Sequence, residues 1–220
     1  MKKFWELGLS QFLTIWWSIS LIMFLVINLF DGNLQENLRV IEEINGELVL
    51  QNLCVLAVAM IISAGLKKIH PLFEWSLYSV FKGKNKEGEK DKSTKGQNIH
   101  LQPTKIKYFG ILFTLLFIVN LPNLTMIEEV VFRQGTSSWF DGLIRSLLFG
   151  IAHCLVGVPI GTGIAIAVPG IWFTSQYFLG GVELSALHHT TYNLIILSML
   201  LLSLVIKHII DLVRKDKSDN

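Results

Sequence analysis

Two stretches of this chain, Phe12 to Phe30 and Leu48 to Leu66, run without a single charged side chain. An α-helix needs about 20 consecutive apolar residues to cross the hydrocarbon core of a bilayer. Four further apolar segments follow, at about Ile106 to Leu121, Phe140 to Val158, Ile160 to Leu179 and Leu184 to Ile206. In lipid, every backbone N–H and C=O must find its partner within the protein, so such segments fold as helices. The expected fold is therefore all-α, a polytopic transmembrane helical bundle of about six transmembrane helices with a polar intramembrane cavity. Charged residues make up only 16% of the chain, below the roughly one quarter usual in soluble domains.

The charges that do occur set an orientation. Lys82 to Lys107 carries eight lysines against Glu87, Glu89 and Asp91, the composition of a solvated, disordered cytoplasmic loop. The tail from 207 to 220 is polar and basic, with Lys207, Arg214, Lys215 and Lys217. The positive-inside rule then puts both termini in the cytoplasm of a multi-pass cell-membrane protein. The run after Met1-Lys2-Lys3 has no small-x-small cleavage site and exceeds a signal-peptide core, so it reads as a retained first transmembrane helix. Asp31 to Glu47 is acidic, bounded by the turn signals Asp31-Gly32-Asn33 and Asn45-Gly46, and falls outside the cell. Leu72 to Phe81 is too short to span and, with Trp75, Tyr78 and Phe81, reads as an interfacial helix. Residues 1–81 thus hold two membrane helices and an interfacial helix, and 82–107 the lysine-rich loop.

Several readings fall away. A formal charge of +2 and the lack of a basic-aromatic groove argue against nucleic acid. Cys54 and Cys154 have neither CxxC nor Cys/His zinc spacing and read as lipid- or core-facing small residues. Gly161-Thr162-Gly163 follows no strand and precedes no lysine, which excludes a phosphate loop. Pro122, Pro159 and Pro169 are positions where helices could break, although membrane helices tolerate proline where neighbours satisfy the freed carbonyls.

The chemistry concentrates at Glu128-Glu129-Val130-Val131-Phe132-Arg133. Charges inside membrane segments are costly and need partners. Glu129 and Arg133 are i,i+4 neighbours and can pair on one helix face, while Glu128 points about 100° away and is left available. Further on, Phe149 and His153 share this spacing, as do His189 and Asn193, with His188 just before. The simplest way to satisfy such groups in lipid is to gather them in one cavity. A carboxylate beside an imidazole suits water activation, and a second histidine with an asparagine suits an oxyanion. Together these roles describe peptide hydrolysis without a covalent nucleophile.

Glu128-Glu129-x-x-x-Arg133, Phe149-x-x-x-His153 and His189-x-x-x-Asn193, in that order, resemble the CAAX-protease and bacteriocin-processing (CPBP, or Abi) family of intramembrane endopeptidases. The resemblance covers about Phe109 to Val205 and makes residues 108–206 the catalytic core. It implies that Glu128 is the water-activating base assisted by His153, that His189 and Asn193 stabilise the oxyanion, and that Glu129 and Arg133 form a structural pair supporting the site with Phe149. It implies a peptide or protein substrate, membrane lipids as surroundings, and roles in peptide or bacteriocin maturation or self-immunity. No cofactor is expected. The alternative is a catalytic zinc held by Glu128, His153 and His189, although the HExxH spacing is absent. Two other classes compete: a non-catalytic immunity or peptide-binding protein that keeps the fold, and a proton-coupled transporter, which the lack of an internal repeat disfavours.

Overall fold

A computed structural model describes Val26 and residues 33–75, 103–155 and 157–218; for 103–113, 204, 207, 208 and 211–218 it describes the backbone alone. The first apolar run apart from Val26, the lysine-rich loop up to residue 102 and the expected interfacial helix beyond Trp75 lie outside these residues. Everything described is helix or connecting turn. Helix α1 spans Asn33–Glu42 and α2 spans Gly46–Ile69; a 3₁₀ turn follows at Pro71–Glu74. Helix α3 spans Pro103–Arg133 and α4 spans Trp139–Leu155.

The long helical run Ile160–Ser218 is two helices, because Gly180 and Gly181 leave helical geometry. Gly181 has φ +75° and ψ −166°, a region open essentially to glycine alone. A straight helix would hold positions 173 and 189 about 24 Å apart, yet the Phe173 and His189 rings stack with centroids 4.5 Å apart. The chain therefore doubles back, and α5 (residues 160–179) and α6 (residues 182–218) form an antiparallel hairpin. This agrees with the two separate apolar segments expected there. The hairpin is the centre of the fold: α2, α3 and α4 all pack on it.

Local chemistry explains the helix starts. Asn45 caps α2, its side-chain oxygen accepting from the Leu48 N–H at 3.0 Å. Ser138 caps α4 by accepting from Asp141 N–H, and the Asp141 side chain accepts from the N–H of Ser137, the residue before the cap. The acidic stretch Asp31 to Glu47, expected as a connecting loop, contains helix α1; its turn signals bound a short helix instead of an irregular link. Pro122 and Pro169 lie inside continuous helices, and neither breaks the chain; Pro159 sits in the connection between α4 and α5. The last helix runs on to Ser218, through the stretch read as a polar tail.

Helices α4 and α5 approach closely through a stripe of small residues. Gly142, Ser146, Gly150 and Cys154 recur every fourth position on α4, and all are buried. They face Thr174, Gly170 and Gly163 of α5 in reversed order. A Cβ added at Gly150 would collide with the Gly163 carbonyl oxygen, and one at Gly163 with Cys154 Sγ. Small residues let backbones meet, and close van der Waals packing is what joins helices where lipid removes the hydrophobic drive. Cys154 is thus a core-facing small residue, as expected.

The distribution of polarity is the reverse of a water-soluble core. Leu50, Ile61, Val131, Phe140, Leu155 and Leu202 are exposed, whereas Asn52, Asn120, Thr125, Ser146, Thr174 and Thr191 are buried. Gly46–Ile69 and Thr114–Arg133 are long and apolar enough to cross a membrane. Replacing Gly150 by alanine should destabilise the protein by about 1–3 kcal/mol through overpacking. Gly65→Ala, which meets nothing within 4 Å, should be neutral or stabilising by up to about 1 kcal/mol. Thermal unfolding of both variants in detergent checks the contrast.

Candidate functional site

Near its C-terminal end, α3 turns Glu129 and Arg133 inward together, and neither exposes any side-chain surface. Arg133 Nη1 stands 3.2 Å from Glu129 Oε1, so the expected i,i+4 pair is present. Arg133 Nη2 also donates to the Gly170 carbonyl on α5 at 3.3 Å. Its guanidinium lies over the Phe149 ring, 4.4 Å from the centroid. A desolvated cation gains from an aromatic face in just this situation.

Two residues of α6 complete the shell of Glu129. His189 Nδ1 donates to Oε1 at 2.8 Å, and the Ser185 hydroxyl reaches Oε2. Ser185 Oγ is also 2.9 Å from the Phe173 carbonyl, so its single proton serves two acceptors. The carboxylate thereby joins α3 to α6, while its partner Arg133 ties α3 to α5. Such buried charges are tolerated only when paired and hydrogen-bonded.

His189 is held from three sides. Besides the bond to Glu129, it stacks on Phe173 and meets Phe149 edge-on at 5.4 Å. With the Nδ1 proton given to Glu129, its Nε2 faces the other carboxylate, and Glu128 Oε2 lies 3.5 Å away. That contact is ion-pair distance without hydrogen-bond alignment, and Glu128 Oε2 has no hydrogen-bond partner. The Glu128 side chain keeps 43% of its surface exposed while Glu129 keeps none. Two adjacent carboxylates are thus set in opposite conditions: one saturated with donors, the other close to an imidazole and open.

His153 reaches the same aromatic wall from α4. Its ring meets Phe149 at 4.7 Å, as the i,i+4 spacing led us to expect, and its Nδ1 donates to the Phe149 carbonyl at 2.8 Å. A carbonyl only accepts, so in the neutral ring Nε2 carries a lone pair. Phe149 therefore touches Arg133, His153 and His189 at once. The structure brings Glu128, Glu129, Arg133, Phe149, His153 and His189 together. Asn193 is partly buried one turn beyond His189, but its side chain makes no hydrogen bond among the described residues. The expectation that His189 and Asn193 project into one cavity as donors to an oxyanion concerns a bound substrate; within the protein both His189 nitrogens face carboxylates. Glu128, His153 and His189 also fail to converge as a zinc ligand set: among the described residues no three His, Cys, Asp or Glu side chains come close enough to hold a metal ion.

Sequence reasoning missed Ser185, Phe173 and the Gly170 carbonyl. Ser185 could have been found, since it precedes His189 by four residues on one helix face. The other two depend on the α5–α6 reversal, which a run of hydrophobic residues does not announce. A buried hydroxyl bridge, Thr125 to Thr190 at 2.6 Å, supports the cluster one turn back along α3. His188, just before His189, faces another side of α6 and contacts Asn52 of α2 at 3.2 Å.

No protein-family model matches the chain, and no similar curated protein or solved structure is found. Breaking the Glu129–Arg133 pair by replacing either member with alanine should cost about 3–5 kcal/mol, the range for stranding one buried charge. Ser185→Ala, which removes one donor from a charged acceptor, should cost about 1.5–3 kcal/mol. Chemical unfolding in mixed micelles gives both numbers.

Proposed function

We propose that this chain is an intramembrane endopeptidase that hydrolyses a peptide bond in a hydrophobic or membrane-delivered peptide, using water activated by Glu128. The reading places it in the cell membrane with about six crossings and both termini in the cytoplasm. The outward apolar residues and inward polar ones of α3, α4 and α6 support that placement. The observation that carries the reaction is the contrast within Glu128-Glu129: Glu129 is sealed and met by donors, whereas Glu128 keeps part of its side chain exposed and has in Oε2 a buried oxygen without a hydrogen-bond partner among the described residues.

In this reaction the Glu128 carboxylate takes a proton from water as the water oxygen bonds to the scissile carbonyl carbon. His153 Nε2, a hydrogen-bond acceptor, orients the same water. The carbonyl oxygen becomes an oxyanion facing His189, whose imidazolium form donates from Nε2 while Nδ1 stays bonded to Glu129. Donors fixed before charge develops are effective because nothing need reorganise during the reaction. Asn193, without a hydrogen-bond partner among the described residues, supplies a second donor. Collapse of the intermediate breaks the C–N bond, and Glu128 returns its proton to the leaving amine. One carboxylate serves both as base and as acid.

The ligand and its biology, including peptide or bacteriocin maturation and self-immunity, belong to this proposal through the motif resemblance alone. General acid–base catalysis contributes about 10²–10⁴ in rate. Cleavage by purified protein in proteoliposomes should therefore fall by about that factor in Glu128→Gln, with a smaller loss in His153→Ala. Peptidomics of cells carrying wild type or Glu128→Gln identifies what is cut. Identical peptide profiles, with both proteins folded at equal level, would instead favour the non-catalytic immunity or peptide-binding reading. Activity that survives strong chelation keeps the carboxylate mechanism; activity restored only by added zinc overturns it.

A further inference from the structure

Where α1 turns into α2, a groove of 440 Å³ opens against the α5–α6 hairpin, lined by Glu43, Glu47, Gln51, Gln176 and His188, with Leu184 and Leu187. It lies on another face of α6 from the carboxylate cluster. His188 and His189 point about 100° apart on the helix; His189 stacks on Phe173, whereas His188 meets Trp172 edge-on at 5.5 Å.

A chain of hydrogen bonds fixes what His188 presents. Asn52 Nδ2 donates one proton to the Leu48 carbonyl at 2.8 Å and the other to His188 Nδ1 at 3.2 Å. Turning the amide over would press its oxygen against the Leu48 carbonyl, two acceptors face to face. His188 Nδ1 is therefore an acceptor, and the proton of the neutral ring sits on Nε2. The side chain is only 3% exposed, yet Nε2 is not sealed inside the protein. Its N–H has no acceptor among the described residues, so an otherwise buried imidazole presents one donor to the groove.

The surroundings indicate what would supply the acceptor. Glu43 and Glu47 are exposed at the rim, Glu47 accepts from Gln51 at 3.1 Å, and no lysine or arginine is among the lining residues. The groove also lies at the acidic end of α2, which begins with Glu47 and finishes with Lys67 and Lys68. A donor at the floor with carboxylates above it matches a ligand that carries an uncharged acceptor beside a cation.

We infer that this groove docks a basic segment of a peptide. A backbone carbonyl of that segment accepts from His188 Nε2, and a lysine or arginine side chain reaches Glu43 and Glu47. The inference rests on the proposed function in taking the ligand to be a peptide, but the groove is separate from Glu128 and its occupancy is measured without cleavage.

The test uses the full chain carrying Glu128→Gln in detergent micelles and a fluorescent acetyl-trilysine amide, with acetyl-triglutamine amide as the uncharged comparison. Anisotropy should report at least about tenfold tighter binding of the lysine peptide, weakening as salt is raised. Glu43→Gln and Glu47→Gln, both at exposed positions, should each weaken it about two- to fivefold, the range for exposed ion pairs. His188→Phe should weaken both peptides alike, by about tenfold. Equal affinity for the two peptides, or unchanged binding in the Glu43→Gln/Glu47→Gln double variant, would overturn the docking site. So would displacement by phosphoethanolamine as effective as by unlabelled trilysine, which would assign the groove to a lipid headgroup. Absence of cleavage by the wild-type chain, with lysine-dependent binding retained, would count against the peptidase reading alone; cleavage by the wild-type chain without lysine-dependent binding would count against the groove alone.

Discussion

The carboxylate of Glu129 is the interaction on which the arrangement depends. Fully removed from solvent, it draws in Arg133 from its own helix and His189 and Ser185 from α6. Arg133 in turn reaches α5 through the Gly170 carbonyl. One ionised group therefore sets the rotation of α3 and the depth of α6, and orients the imidazole beside Glu128. Removing water from around a carboxylate is unfavourable unless nearly every lone pair is met. The same requirement makes the site geometrically definite, since each donor has one place to stand.

The neighbouring aromatic residues turn that ionic network into a wall. Phe149 carries the guanidinium on one side and receives the edges of two imidazoles, and Phe173 stacks beneath His189. Rings of this kind keep water from the Glu129 side without competing for its hydrogen bonds. Glu128, one residue earlier and rotated away, escapes both the donors and the wall. Its different condition is a result of helix geometry: adjacent positions on α3 face different surroundings.

How much of this can be read from the residues alone differs by element. The apolar segments, the Glu129–Arg133 pair and the Phe149–His153 contact follow from spacing, because each involves neighbours within one helix. The convergence of α3, α4 and α6 on one site is also anticipated, since polar groups in apolar segments need one another. What spacing does not disclose is the partner chosen across helices. His189 meets Glu129 because the reversal at Gly180 and Gly181 fixes its depth, and no local signal in residues 182–193 encodes that depth. The α4 stripe of Gly142, Ser146, Gly150 and Cys154 is legible as a four-residue repeat of small residues, but the helix it faces is not. Helix α1 is hidden because its polar composition resembles a loop, and its packing on α3, and more lightly on the α5–α6 hairpin, gives it partners.

The reversal at Gly181 also bears on the order in which the molecule is assembled. Glu129 lies sixty residues before His189, so during synthesis α3 exists long before its imidazole partner is made. The i,i+4 arginine is already present within one helical turn, and the carboxylate enters the nascent bundle as a neutralised pair rather than a bare charge. Arrival of the α5–α6 hairpin then completes the site in a single step, with Ser185 and His189 delivered together on its second limb. Until that last hairpin docks, Glu129 lacks both of its α6 donors, and a chain ending before α6 would hold that carboxylate with Arg133 alone.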